Sequence, residues 1–412
     1  MNFEQLPLEL LIRISNYLPP EDLWFNFRTV NRKLYTLITK HSYWSKRAKH
    51  RHGLVLPDRL KMCVSIVEAD NIIASPFMPI YRCIATEQAC DRWSYGLAHS
   101  VSTTGTHYGT IDAIRLFTIN RKYFCLTGAR DRQIMLWDLS TSIYKEDMPY
   151  WASVPVERAH DGWIWSISCL KYNADSFFSA GFDSIVQKWQ MAEASIRPIR
   201  KINVNSAALS CINENENILY VSTYRSGPLL YDTRVACTSP IASNNCHGQR
   251  PVFELATKND CNQIFSIGDD NKLAAVDKRR FESLISTYQS KESISHIDYE
   301  DKQLCLSLKN GHFLFFDPEN LNFENEFTII NDKGNQLKGN QNIRISRGAT
   351  FCACSDSTLR VFSPGIQPQQ MARVKLEENL TRIDVLDGHM IATTTTETLR
   401  YWPNIEQPIR CT

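Results

Sequence analysis

Three histidines set the pattern for the chemistry open to this chain. His107, His160 and His247 stand in Thr-His-Tyr-Gly, Ala-His-Asp-Gly and Cys-His-Gly, and each is followed by a hydroxyl residue and an aspartate. The sets are Thr127 with Asp131, Ser179 with Asp183, and Ser266 with Asp270. An Asp in a tight turn accepts hydrogen bonds from turn amides, and a buried His can bridge it to a hydroxyl on the neighbouring strand. Trp137 and Trp189 close the first two sets, and Val276 stands at that place in the third. The chemistry expected is hydrogen bonding that stabilises one small sheet, so these residues read as structural.

Other residue types point to binding. Trp163 and Trp165 flank a strand start beside His160 and, in alternation, point the same way. Arg130, Arg132, Arg225 and Arg250 fall in the same class of turns, and aromatic anchors with arginines dominate binding hot spots. These six residues are a candidate substrate-binding face. Cys352-Ala-Cys354 lacks a second pair, and Cys246-His247 lacks companions at zinc spacing. Phosphate-loop, dinucleotide, zinc-protease and nucleophile-elbow motifs are all missing. No catalytic residue, metal or cofactor is therefore expected. A hydrolase would need acidic or His side chains around a central channel.

The elements that must position these residues repeat. The Asp in the turn lies seven residues before a strand end, and extending that register gives ends at Asp138, Gln190, Asp232, Asp277, Asp317, Ser363 and Pro403. Successive intervals are 52, 42, 45, 40, 46 and 40 residues, the period of propeller blades. Directly before these ends stand Trp137, Trp189, Tyr231, Val276, Phe316, Phe362 and Trp402, bulky residues suited to a strand buried between sheets.

The N-terminal residues differ in kind. Leu10, Leu11, Ile14, Tyr17 and Leu18 follow a 3.6-residue period that Pro19-Pro20 ends. A second helix is expected from Pro20 with Leu23, Phe27 and Val30 on one face. Asn31 can cap a third and Ser42 a fourth, which Gly53 stops. Residues 1–52 carry a net charge of +5, in a chain of +2. Residues 28–51 hold eight Lys/Arg and no acid. That run reads as a solvated face complementing an acidic partner rather than as a nucleic-acid patch. Asp58–Glu68 and Pro79–Trp93 are expected to form a helical spacer. Thirteen scattered cysteines suggest a reducing compartment, and no window offers about 18 apolar residues to cross a bilayer. A cytoplasmic or nuclear protein without membrane attachment is expected.

Leu6-Pro7-x-Glu9-Leu10-Leu11-x-x-Ile14-x-x-Tyr17-Leu18-Pro19-x-x-Asp22-Leu23, with Val30 and Trp44, resembles an F-box, and residues 107–403 resemble seven WD repeats. The combination resembles the F-box/WD repeat proteins. That resemblance implies an all-β seven-bladed propeller (99–412) behind an all-α F-box (1–52) and a helical spacer (53–98), with the run His99–Thr104 adding the outer strand of the seventh blade so that the ring closes without an open edge. It implies that Leu6, Pro7, Leu10, Ile14, Leu18, Pro19 and Leu23 dock a Skp-type adaptor, and through it a cullin-RING ligase, while the propeller binds a protein substrate for ubiquitination. A ligase-independent scaffold is the alternative.

Overall fold

Alternation decides where each strand lies. The second strands, such as Gln263–Gly268 and Ala349–Ala353, are buried at every position, as strands sandwiched between sheets must be. Outer strands such as Leu284–Gln289 and Phe323–Thr328 bury few positions and alternate with solvent. The result, in a computed structural model, is seven four-stranded antiparallel sheets in a ring. The structure describes residues 6–52, 78–97, 100–103, 107–140, 151, 153–215, 217–235, 239–259, 261–300, 303–346, 348–364 and 368–404.

Blades 1 to 7 begin with strands Ile111–Ile119, Ile164–Cys169, Ala208–Asn213, Val252–Ala256, Ile294–Glu300, Asn342–Ser346 and Leu380–Leu386. These first strands touch one another all round the ring and so line its centre. Side chains staple them to the backbone of the next blade. Glu254 accepts from Ile297 N at 3.1 Å and Asp298 from Ile345 N at 2.6 Å, and Asp384 carries the series from blade 7 to blade 1 through Leu116 N at 2.8 Å. The bulky residues at the strand ends, Trp137, Trp189, Tyr231, Val276, Phe316, Phe362 and Trp402, are all buried.

Closure uses both ends of the propeller. Strand β1 (Val101–Thr103) pairs antiparallel with Leu399–Trp402, Val101 opposite Tyr401, so the last sheet has no unfilled edge. His99 and Thr104, at the limits of the expected run, lie outside the described residues.

The head comprises α1 (Leu8–Ser15), α2 (Arg32–Ile38) and α3 (His41–His52). Asn31 caps α2, accepting from Leu34 N at 2.8 Å. Ser42 caps nothing, because α3 already begins at His41. The expected second helix is a π-helical turn, Asp22–Asn26, followed by a 3₁₀ turn. That widened turn puts two adjacent large residues, Leu23 and Trp24, into the core at once. Of the spacer, α4 (Met78–Gly96) is described; the helix expected over Asp58–Glu68 lies outside the described residues.

Helix α4 belongs to both modules. Its Ile80, Cys83 and Ile84 complete the core of Leu11, Leu34, Ile38 and Trp44, which about fifty residues fill poorly alone. Its far end packs Trp93 edge-on to Phe351 at 5.2 Å, and Arg92 and the Leu97 carbonyl bond Pro403 O and Trp402 Nε1 at 2.5 and 3.0 Å. Gly348, at φ +80°, abuts the Ala85 carbonyl, and a Cβ there would lie 2.2 Å from that oxygen. Only glycine lets the helix seat so closely.

Candidate protein-binding surfaces

The histidine networks form as single connected chains. His107 Nδ1 lies 2.9 Å from Asp131 and Nε2 2.8 Å from Thr127, whose hydroxyl also accepts from Trp137 Nε1 at 2.9 Å. The indole donates to the Thr127 hydroxyl, which His107 links to the Asp131 carboxylate, so four side chains form one connected network. Blade 2 repeats it with His160, Ser179, Asp183 and Trp189. Near blade 4, His247 joins Asp270 and Ser266, both at 2.9 Å, and Cys246 Sγ approaches Ser266 where the indole would stand. Burial pushes the Asp131 and Asp183 carboxyls up, but hydrogen bonds from the histidines and turn amides outweigh it and hold both below the usual range.

The blades that lack the Asp close their turns by other means. Thr223 Oγ1 accepts from Ser226 N at 3.0 Å in blade 3, Asn310 from His312 N at 3.2 Å in blade 5, and Thr394 Oγ1 from Thr398 N at 3.2 Å in blade 7. Replacing Asp183 by Ala leaves His160 Nδ1 and the amides of Asp161 and Ile185 without their acceptor. The expected loss is about 1–3 kcal/mol, read as a lower urea midpoint at unchanged slope.

The centre of the ring does hold acids and a histidine, yet each is engaged. Glu254 pairs His296 at 3.0 Å, Asp298 pairs Arg344 at 3.5 Å, and Glu300 is held between Lys171 and Lys258 at 3.0 and 2.8 Å. Among the described residues no group of three or more His, Cys, Asp or Glu is placed to hold a metal ion.

The two tryptophans and Arg130 come together. Trp163 and Trp165 each lie 5.7 Å from the Phe182 ring, and the Arg130 guanidinium sits 5.0 and 5.8 Å from their rings while bonding Asp112 at 2.7 Å. Phe182, which sequence reasoning overlooked, is the residue that joins this cluster to the next blade. A cavity of about 370 Å³ there is lined by Phe182, Asn205, Ser206, Ala207, Tyr224 and Arg225. Arg132 is exposed in the neighbouring turn, and Arg250 is exposed before blade 4 and lines neither feature.

On the head, Pro7, Leu10, Ile14 and Pro19 are exposed and Leu6 and Leu18 half-buried, but Leu23 is completely enclosed. Leu23 is thus core, because the π-helical turn points it inward beside Trp24. Leu11 and Ser15 turn inward from α1, leaving Leu10, Ile14 and the 89% exposed Tyr17 outward. Leu8, Phe25, Val30 and Tyr35 are further exposed apolar side chains of the head. The signal for them was an apolar surplus beyond what one buried helix face needs.

The basic run is not wholly a solvated face. Arg47 is buried, bonds Glu87 of α4 at 2.8 Å and donates to the carbonyls of Ser15 and Leu18 at the end of α1. Arg51 joins Glu87 and Asp91 at 3.2 and 3.4 Å. Those two cations hold the spacer.

A small helical head fused to a seven-bladed ring carrying His–hydroxyl–Asp networks is similar in its build to F-box proteins with a WD-repeat propeller. The F-box domain family matches residues 3–46. Over 402 residues the chain is 27% identical to F-box/WD repeat-containing protein 9 of Homo sapiens, covering 96% of this chain and 81% of that one. It is 28% identical over 372 residues to F-box/WD repeat-containing protein mec-15 of Caenorhabditis elegans, covering 89% and 86%. No described helix is long and apolar enough to cross a membrane.

Proposed function

We propose that this chain is the substrate-recognition subunit of a Skp-cullin-F-box ubiquitin ligase. The head would dock the adaptor through Pro7, Leu10, Ile14 and Pro19, with Leu6 and Leu18 at its edge, and the propeller would hold the client. The observation that carries the reading is the exposed apolar surface of a head whose own core is already filled by α4. Unfilled apolar surface of that kind marks a partner site. The mechanism is positioning: a client lysine held near a ubiquitin-charged enzyme gains effective concentration, with no side-chain chemistry from this chain.

Co-expression with a Skp-type adaptor and a cullin tests this. Both are expected to co-purify with the wild-type chain, and a Leu10→Ser, Ile14→Ser variant is expected to lose both. Because both side chains face solvent, the variant keeps its thermal midpoint. Adaptor capture without a cullin would overturn the ligase role in favour of a scaffold.

A further inference from the structure

The rim of the ring is not uniform. In six blades the first strand carries a bulge near its start, at Asp112, Trp165, Leu209, Phe253, Ser295 and Thr381. Beside each bulge, the residue that follows the second strand bonds back to the approach of the first. These bonds are Arg130 N to Thr110 O, Phe182 N to Trp163 O, Tyr224 N to Ala207 O, Asp269 N to Pro251 O, Lys309 N to Ser293 O and Thr395 N to Asn379 O. Each of these six blades thus presents a matched triplet at the same end. The triplets of blades 2 and 3 are Trp163, Trp165, Phe182 and Ala207, Leu209, Tyr224. Those of blades 5 and 7 are Ser293, Ser295, Lys309 and Asn379, Thr381, Thr395. Equivalent backbone positions are therefore aromatic and apolar in blades 2 and 3, mixed in blade 4 (Pro251, Phe253, Asp269) and polar in blades 5, 7 and 1 (Thr110, Asp112, Arg130 in the last).

Charge on and beside the apolar blades is also ordered. Asp131 and Asp183 are turned into their histidine networks, and Asp112 is occupied by Arg130. Arg132 and Arg225 are exposed and make no ion pair among the described residues, and Glu157, Asp161 and Asp175 are exposed acids between them in sequence. Arg225 lines the cavity itself, opposite Phe182 and beside Tyr224.

We propose that this cavity seats one aromatic or branched aliphatic side chain of an extended client segment, whose neighbouring Asp or Glu carboxylate pairs with Arg225. The inference rests on the reading of the propeller as the client-binding part. A single guanidinium in the cavity lining matches one carboxylate fork to fork; it can pair with a phosphate in the same way, and the phosphoserine peptide below decides between them. The apolar walls supply the anchor, and the blade 2 tryptophans flank the path of the segment.

The test uses the full chain. Random dodecapeptides displayed on phage are selected on it, and the strongest is synthesised in three forms: as selected, with its acid replaced by Lys, and with phosphoserine at that place. Anisotropy titrations then compare them. The expected motif is a bulky apolar residue within two positions of an acid. Arg225→Glu is expected to weaken the selected peptide by about tenfold or more and to restore the Lys form, a reversal that a folding defect cannot mimic. Tyr224→Ala weakens both forms, and Lys309→Glu, at the matching position of blade 5, changes neither. Motifs without an acid, or binding indifferent to Arg225→Glu, would overturn the proposal. So would a phosphoserine form that binds about tenfold tighter than the carboxylate, which would assign the cavity to phosphopeptides. Cullin co-purification is independent of every one of these outcomes, so loss of the pocket and loss of the ligase reading are separately visible.

Discussion

Replacing Arg47 by Ala is expected to cost about 3–5 kcal/mol, because it strips a buried carboxylate of its two-pronged partner and leaves it only the partly exposed Arg51. Glu87 is fully enclosed, and its pKa is raised by burial even against the pull of Arg47 and Arg51. Desolvation is thus the dominant influence, and a charge left there with Arg51 as its one remaining ion-pair partner is unfavourable. The same guanidinium caps the carbonyls of Ser15 and Leu18, so its loss also frees the end of α1. The head is expected to melt before the propeller, seen as a new low-temperature transition in calorimetry and early proteolysis near residue 50. A paired Arg47→Met, Glu87→Met variant removes both charges and is expected to recover most of the stability. If Arg47→Ala alone melted in one transition with the wild type, the joint would not depend on this pair.

Acid is expected to open the ring at its closing seam. His389 is buried between Tyr123 of blade 1, at 3.8 Å between ring centroids, and Tyr401 of blade 7, at 5.8 Å. Burial, then the nearby Arg92, push its pKa from 6.5 to about 4. The unfolded chain takes up this proton near pH 6.5, and the folded chain resists until about pH 4. Folding stability contributed by the neutral ring is therefore intact above the unfolded value and is lost as pH falls between the two, to a total of about 3 kcal/mol. Below that window the depressed carboxyls of Asp131 and Asp183 add a second loss. Urea midpoints measured from pH 7.5 to 4 should fall steeply for the wild type and less for His389→Phe. Equal slopes would remove His389 as the cause.

The repeat was legible because its cause is local. A turn must satisfy its own amides, so Asp131, Asp183 and Asp270 recur at fixed distance from a buried strand end, and the closing strand could be placed because a ring allows no free edge. The substitutes in blades 3, 5 and 7 obey the same requirement with different side chains, which is why the motif faded there while the sheet did not. Helical period could not foresee the π-helical turn, because two adjacent residues, Leu23 and Trp24, both need the interior. Arg47 looked like one more surface charge, since Glu87 lies forty residues away and only the folded chain brings them together. Phe182 escaped notice for the same reason: its partners Trp163 and Trp165 are separated from it by a whole hairpin.

The seating of α4 also determines where tension would travel. A pull between a held head and a held client would run along α4 into Trp93, Arg92 and Leu97, and from there into Phe351, Pro403 and Trp402 of the last two blades. Strand β1, only three residues long, follows directly after that anchorage. The short strand that shuts the ring is thus sheltered from the load by a helix gripping the same blade it closes, and the joint resists by shear across packed side chains before any strand can be peeled.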